Sequence, residues 1–83
     1  MIKKMKINLI KGVCLRLKKN CLLEGVVSFR ENVFKGGEVL MFEGYDGRFS
    51  SVKMCVLSDG ECDKFLCGED KIDELFEVVE EES

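Results

Sequence analysis

Between Glu38 and Leu66 three extended apolar segments are separated by two turn tripeptides, Tyr45-Asp46-Gly47 and Ser58-Asp59-Gly60. Asp-Gly between alternating apolar residues is a strong hairpin signal, because glycine reaches positive φ without a Cβ clash and aspartate tolerates it. The pattern predicts a three-stranded meander over residues 34–67. Val39 to Phe42 is apolar at every position, which predicts cover on both faces. After the first turn Val52, Met54 and Val56 alternate with Lys53 and Cys55, and the third segment ends in Phe65, Leu66 and Cys67.

Upstream, the odd positions Met5, Ile7, Leu9, Val13, Leu15 and Leu17 are apolar, while the even ones carry Lys6, Asn8, Gly12, Arg16 and Lys18. Period two predicts one half-buried strand, or two strands bent near Lys11-Gly12. A helix competes, since Met5, Leu9, Val13 and Leu17 are also four apart; Gly12 and the β-branched residues favour strand. Lys18-Lys19-Asn20 reads as a turn. Cys21 to Phe29 reads as a second apolar strand, or a pair broken at Gly25, and residues 1–31 are assigned to N-terminal strands. Asn32 to Gly37 reads as a loop, with Gly36-Gly37 allowing a sharp reversal.

Near the end the period changes. Ile72, Leu75 and Phe76 stand at i, i+3 and i+4, which predicts one helical turn with Asp70 as its cap. Phe76-Glu77-Val78-Val79 then returns as a closing strand, so that 70–79 form helical turn and strand and 80–83 a solvated acidic tail. The expected fold is mostly β: a small antiparallel barrel or strongly bent sheet with one short C-terminal helical turn.

The chain has 83 residues, enough for a single β-rich domain with a thin core. With no histidine, Ser-His-Asp and Cys-His catalysis are excluded, and a deep cofactor or substrate cavity would compete with the core for the same side chains. The expectation is a non-enzyme without cofactor. No apolar run approaches the roughly 18 residues that span a bilayer. Lys6 and Lys11 interrupt the segment after Met1-Ile2-Lys3-Lys4, which argues against a secretory signal. Five cysteines, an odd number, then read as reduced thiols in a cytoplasmic protein.

The net charge of −3 conceals an asymmetry: residues 1–42 carry nine Lys/Arg against three Glu, and residues 43–83 carry four against thirteen acids. Either the two halves pair within one fold and neutralise one another, or a basic patch faces nucleic acid and an acidic one a protein. The nucleic-acid reading rests on Lys6, Lys11, Arg16, Lys18 and Lys19, which would lie along phosphates if they share a strand face. That segment lacks aromatic stacking platforms, which favours a solvated face. The Glu69–Glu82 segment is dense in acid and reads as a solubilising end, or as a phosphate mimic toward a basic partner. Cys14 and Cys21 have six residues between them, as do Cys55 and Cys62. Four thiolates can hold zinc, but each pair in a knuckle is normally separated by two to four residues, so structural thiols are the preferred reading. Around the first turn Phe42, Tyr45, Arg48 and Phe49 cluster. Phe42 and Phe49 suit a core, whereas Tyr and Arg are favoured interface anchors, and Tyr45, Arg48 and Phe49 are the candidate partner-binding residues.

From Phe34 to Glu80 the succession of glycine-led strand after Lys35-Gly36-Gly37, two Asp-Gly turns, helical turn and Phe76-Glu77-Val78-Val79 resembles the small SH3-like β-barrel proteins of bacteria and their phages. The resemblance implies a protein- or nucleic-acid-binding module, and for the phage members an accessory protein that binds or inhibits a host defence protein. The implied partner is a protein, with nucleic acid as the alternative, no membrane, and a homodimer by strand addition open to an unprotected, proline-free edge.

Overall fold

The computed structural model describes residues 9–48, 53–61 and 63–79. Its elements are β1 (Cys14–Leu17), β2 (Cys21–Gly25), β3 (Glu31–Phe34), β4 (Val39–Asp46), β5 (Met54–Ser58), β6 (Lys64–Gly68), α1 (Glu69–Leu75) and β7 (Phe76–Val78). All strand pairs are antiparallel, in the order β3-β2-β6-β5-β4-β1-β7. This is a mostly β fold with one short C-terminal helix, built on a single sheet that does not close.

The topology forces the sheet to bend. β1 and β2 follow one another in the chain, yet β4, β5 and β6 lie between them in the sheet. Laid flat, four strand spacings would separate them by roughly 19 Å. The step from Leu17 to Cys21 reaches at most about 14 Å. Only a curled sheet brings the ends of β1 and β2 within reach of Lys18-Lys19-Asn20. That link is tied down by the Gly36 amide donating to Asn20 Oδ1 at 2.8 Å and the Gly37 amide donating to the Leu17 carbonyl at 2.7 Å.

The concave face holds the core. Leu15 and Leu17 of β1, Leu23 of β2, Leu40 and Phe42 of β4, Leu57 of β5 and Phe65 of β6 are buried, and Phe34 meets Phe65 edge-on with ring centroids 4.8 Å apart. Ile72 and Phe76 close one side, each 1% exposed. Buried positions alternate along β1, as period two predicts, and Val13 and Leu9 pack at the core's edge. Lys11 and Gly12 form a turn there, so the segment bends where Gly12 stands.

Three expectations, the Asn32 loop, the two-sided cover of Val39 and the Asp70 cap, are corrected, and the inward face of β5 is assigned. Asn32 to Phe34 is strand rather than loop, because the Cys21–Gly25 strand finds its antiparallel partner in Glu31–Phe34. Val39 is 47% exposed, so the apolar run of β4 is covered on one face at its start. The core face of β5 is Cys55 and Leu57, both 0% exposed, while Met54 and Val56 are half-buried on the other side; cysteine here acts as a small hydrophobe. Asp70 makes no capping hydrogen bond: Gly68 is the N-cap, and the Glu69 amide donates to the Lys53 carbonyl at 2.9 Å.

The two Asp-Gly turns also differ. Gly60 adopts φ +91°, and its amide donates to Ser58 Oγ at 3.1 Å, as a tight reversal requires. Gly47 of the first turn has no positive φ; upstream, inside β4, Gly44 has φ +141°, where a bulge shifts the β4–β5 register between Phe42 and Gly44. A bulge inserts one residue and reverses which side chains face inward. Tyr45 therefore lies opposite core-facing Cys55, on the same side as Phe42, whose ring it meets edge-on at 5.3 Å.

Candidate interaction surface

Tyr45, Arg48 and Phe49 are the residues that composition singled out. Phe49 lies outside the described residues, and Phe42 is core, 2% exposed. Tyr45 and Arg48 take different partners. The Tyr45 hydroxyl donates to Glu69 Oε2 at 2.8 Å, Lys53 Nζ stands 5.3 Å from its ring centroid, and the ring is 46% exposed. Its phenol is pushed up to about 12, first by partial removal from water and then by Glu69, whose carboxylate favours the protonated hydroxyl.

Arg48 forms a fork with Asp46: Nε reaches Oδ1 at 2.9 Å and NH2 reaches Oδ2 at 2.6 Å, while the Arg48 amide donates to Oδ1 at 2.9 Å. These hydrogen bonds hold the Asp46 carboxyl below its usual range. Locked this way, the guanidinium donates through NH2 to the Val26 carbonyl at 2.9 Å and lies 5.0 Å over the ring of Phe29.

Sequence reasoning did not single out that ring. Phe29 sits in the turn joining β2 to β3 with φ 59°, the left-handed region, where a bulky side chain is an outlier. The turn is over-determined. The Phe29 amide donates to the Gly25 carbonyl at 3.0 Å, the Arg30 amide donates to Ser28 Oγ at 3.1 Å, and Asn32 Nδ2 donates to the Arg30 carbonyl at 2.9 Å. Its outer surface is apolar and open to water, with Phe29 48% and Val27 89% exposed. A shallow hollow of about 430 Å³ runs from this turn to the start of β6, where Asp63 and Lys64 supply both charges. The one local hint was the Gly25 break in an apolar run, which marks a turn without indicating its backbone state.

The basic residues of the nucleic-acid reading are largely engaged by the acidic end of the chain. Arg16 lies opposite Glu77 in the β1–β7 pair, with NH1 to Oε2 at 3.2 Å. Lys18 Nζ donates to the Asp73 carbonyl at 2.9 Å, at the helix C-terminus, where carbonyls lack intrahelical donors. Lys19 Nζ is 3.7 Å from Glu74 Oε2. Lys11 is exposed in its turn, and Lys6 lies outside the described residues. The opposite charges of the two halves thus meet across β1, β7 and α1.

Cys14 and Cys21 are half-buried, Cys55 and Cys67 are buried opposite one another on β5 and β6, and Cys62 lies outside the described residues. Burial, foremost, pushes the Cys55 and Cys67 thiols up to about 12. Among the described residues no three His, Cys, Asp or Glu side chains are grouped to hold a metal ion. Nor is any described helix long and apolar enough to cross a membrane. Compared with known proteins, the chain matches no family model, no curated protein and no solved structure.

Proposed function

We propose that the protein is a non-catalytic interaction module that binds another protein through Val27, Phe29 and Arg48, with Tyr45 as a second contact. The observation that carries this reading is Phe29. A bulky residue held in the left-handed region costs of order 1–3 kcal/mol. The exposed cation–π contact with Arg48 returns only about 0.5–1 kcal/mol. The left-handed strain is thus not returned by that contact alone, and Phe29 stays 48% exposed beside an arginine already immobilised by Asp46. Rigid, exposed aromatic and arginine side chains are what binding hot spots are made of, because little entropy is lost when they are covered. A role as a phage or mobile-element protein directed at a host protein rests on the resemblance of residues 34–80 to SH3-like barrels.

The test compares immobilised wild type, Phe29→Asn, Arg48→Ala and Arg16→Ala in host-cell extract. Asparagine tolerates the left-handed region, so Phe29→Asn should keep or raise the melting temperature while releasing the partner. Arg48→Ala should release it too, and Arg16→Ala should retain it. Equal retention by all four proteins would overturn the assignment of this surface. Retention that is abolished by nuclease and by charge reversal at Lys11 and Arg16 would replace it with the nucleic-acid reading.

A further inference from the structure

We infer that the β3 edge is a self-association surface, on which a second copy of this chain adds its own β3 antiparallel about a two-fold axis, with Val33 opposite Val33 and Glu31 opposite Lys35 of the second copy. This surface is separate from the one proposed above. Among the described residues no strand lies beyond β3, the first strand in the sheet order.

The hydrogen-bond parity of this edge follows from its inner neighbour. β2 and β3 pair Cys21↔Phe34, Leu22↔Val33, Leu23↔Asn32 and Glu24↔Glu31, and the next pair, Gly25 and Arg30, is joined by the Gly25 amide donating to the Arg30 carbonyl at 3.0 Å. Bonded and non-bonded pairs alternate in an antiparallel ladder. Asn32 and Phe34 therefore bond inward to β2, and the backbone N–H and C=O of Glu31 and Val33 point outward. A second β3 has to meet them through the same odd-numbered residues.

Three antiparallel registers satisfy this. The first sets Glu31 against Glu31, which like charge disfavours. The second sets Glu31 against Val33 and gives four backbone hydrogen bonds. The third sets Val33 against Val33 and Glu31 against Lys35. It gives two backbone bonds between the valines, while bonds from the Glu31 amides would share Lys35 carbonyls that already accept the Glu38 amide at 3.1 Å. The Lys35 amide itself is occupied by Glu38 Oε2 at 2.8 Å. This last register alone adds two ion pairs and an apolar pair.

The outer side chains agree with it. Val33 is 70% and Leu22 53% exposed, and they are directly opposite one another. Pairing would extend them into one apolar row of Leu22, Val33, Val33 and Leu22 across both copies. Glu24 and Glu31 are also opposite one another within the chain, a like-charge pair that destabilises a sheet; Lys35 of the second copy would stand on the far side of Glu31 and offset it. The other edge, β7, is differently equipped. Glu77 places a charged side chain on this three-residue strand, and charge is a usual protection of exposed edges.

The test is the mass of the full chain in solution by sedimentation velocity, from about 10 μM to about 1 mM, where an interface of this modest size dissociates. The wild type should move from 9.4 kDa toward twice that mass. Glu31→Lys and Lys35→Glu should each abolish the shift, and the double exchange should restore it. Val33→Lys, at a position that adds nothing to the core, should also stay monomeric while its circular dichroism remains that of the wild type. A wild type that stays at 9.4 kDa throughout overturns the inference. So does a mass that keeps climbing with concentration, the mark of head-to-tail β3–β7 contact, or a dimer indifferent to the charge exchange.

Discussion

The β4–β5–β6 meander and the β2–β3 hairpin are both antiparallel and rich in apolar residues, but they use those residues differently. Each strand of the meander has a neighbour on both sides, and Leu40, Phe42, Leu57 and Phe65 are removed from water. Its tight turn at Gly60 places positive φ on the residue that bears it at least cost. In the hairpin only one face is consumed by the core. Leu22, Val27, Phe29 and Val33 remain 48–89% exposed, and the turn places positive φ on a phenylalanine. Interior strands are thus shaped by folding, whereas the outer hairpin retains apolar area and backbone strain that folding alone would remove.

Substitutions can break that contrast or sharpen it. The largest effect is expected at Leu57→Ala, which should cost about 2–5 kcal/mol in urea or thermal unfolding, a large share of a small domain's stability. Val33→Ala should stay within about 0.5 kcal/mol. Equal costs at the two sites would erase the distinction between meander and hairpin. Next are the two left-handed positions. Gly60→Ala should lose about 1–2 kcal/mol, whereas Phe29→Asn should lose nothing measurable or gain. If both lose stability alike, Phe29 is serving the fold.

The thiols probe the meander's interior. In native protein at about pH 8, Cys55 and Cys67 should resist iodoacetamide, because both are buried and thiolate is scarce when burial raises the thiol's pKa. Half-buried Cys14 and Cys21 should be alkylated first, and urea should remove the difference, read by peptide mass spectrometry. Early labelling of Cys55 would show that the β5–β6 pair opens readily.

The smallest effect on stability concerns Tyr45, the sole tyrosine in a chain without tryptophan, so ultraviolet titration reads it alone. Its midpoint should lie near 12 instead of the ordinary 10.0, and Glu69→Gln should bring it back toward 10.0. Since folding raises this pKa, the hydroxyl's contribution to stability is fully present below pH 10.0 and is lost as pH rises through about 12. A midpoint at 10.0 in the wild type would mean that the bond to Glu69 does not form.

Much of the fold was legible in the chain because apolar spacing is local: Leu15 and Leu17 share a face whatever lies opposite them, and Ile72, Leu75 and Phe76 mark a helical turn wherever it docks. The candidate surface was legible only in part. Arg48 could be chosen as an anchor by type, but its perch over Phe29 depends on a turn from a distant part of the chain. The orientation of Tyr45 depends on the Gly44 bulge, and no rule of alternation supplies an extra residue.

By itself the sequence determined that the chain is mostly β, that it reverses at Gly60, that a short helix precedes a closing Phe76 strand, and that opposite charges lie in its two halves. Tertiary structure alone decided that Glu31–Phe34 is a strand and an edge, that Cys55 rather than Met54 faces inward, and that Arg16, Lys18 and Lys19 meet the acidic end of the chain. The physical reason is range. Periodicity and turn chemistry act over a few residues, whereas which strand becomes an edge and which face is covered follow from closing a sheet whose first two strands are held together by three residues and separated by three strands.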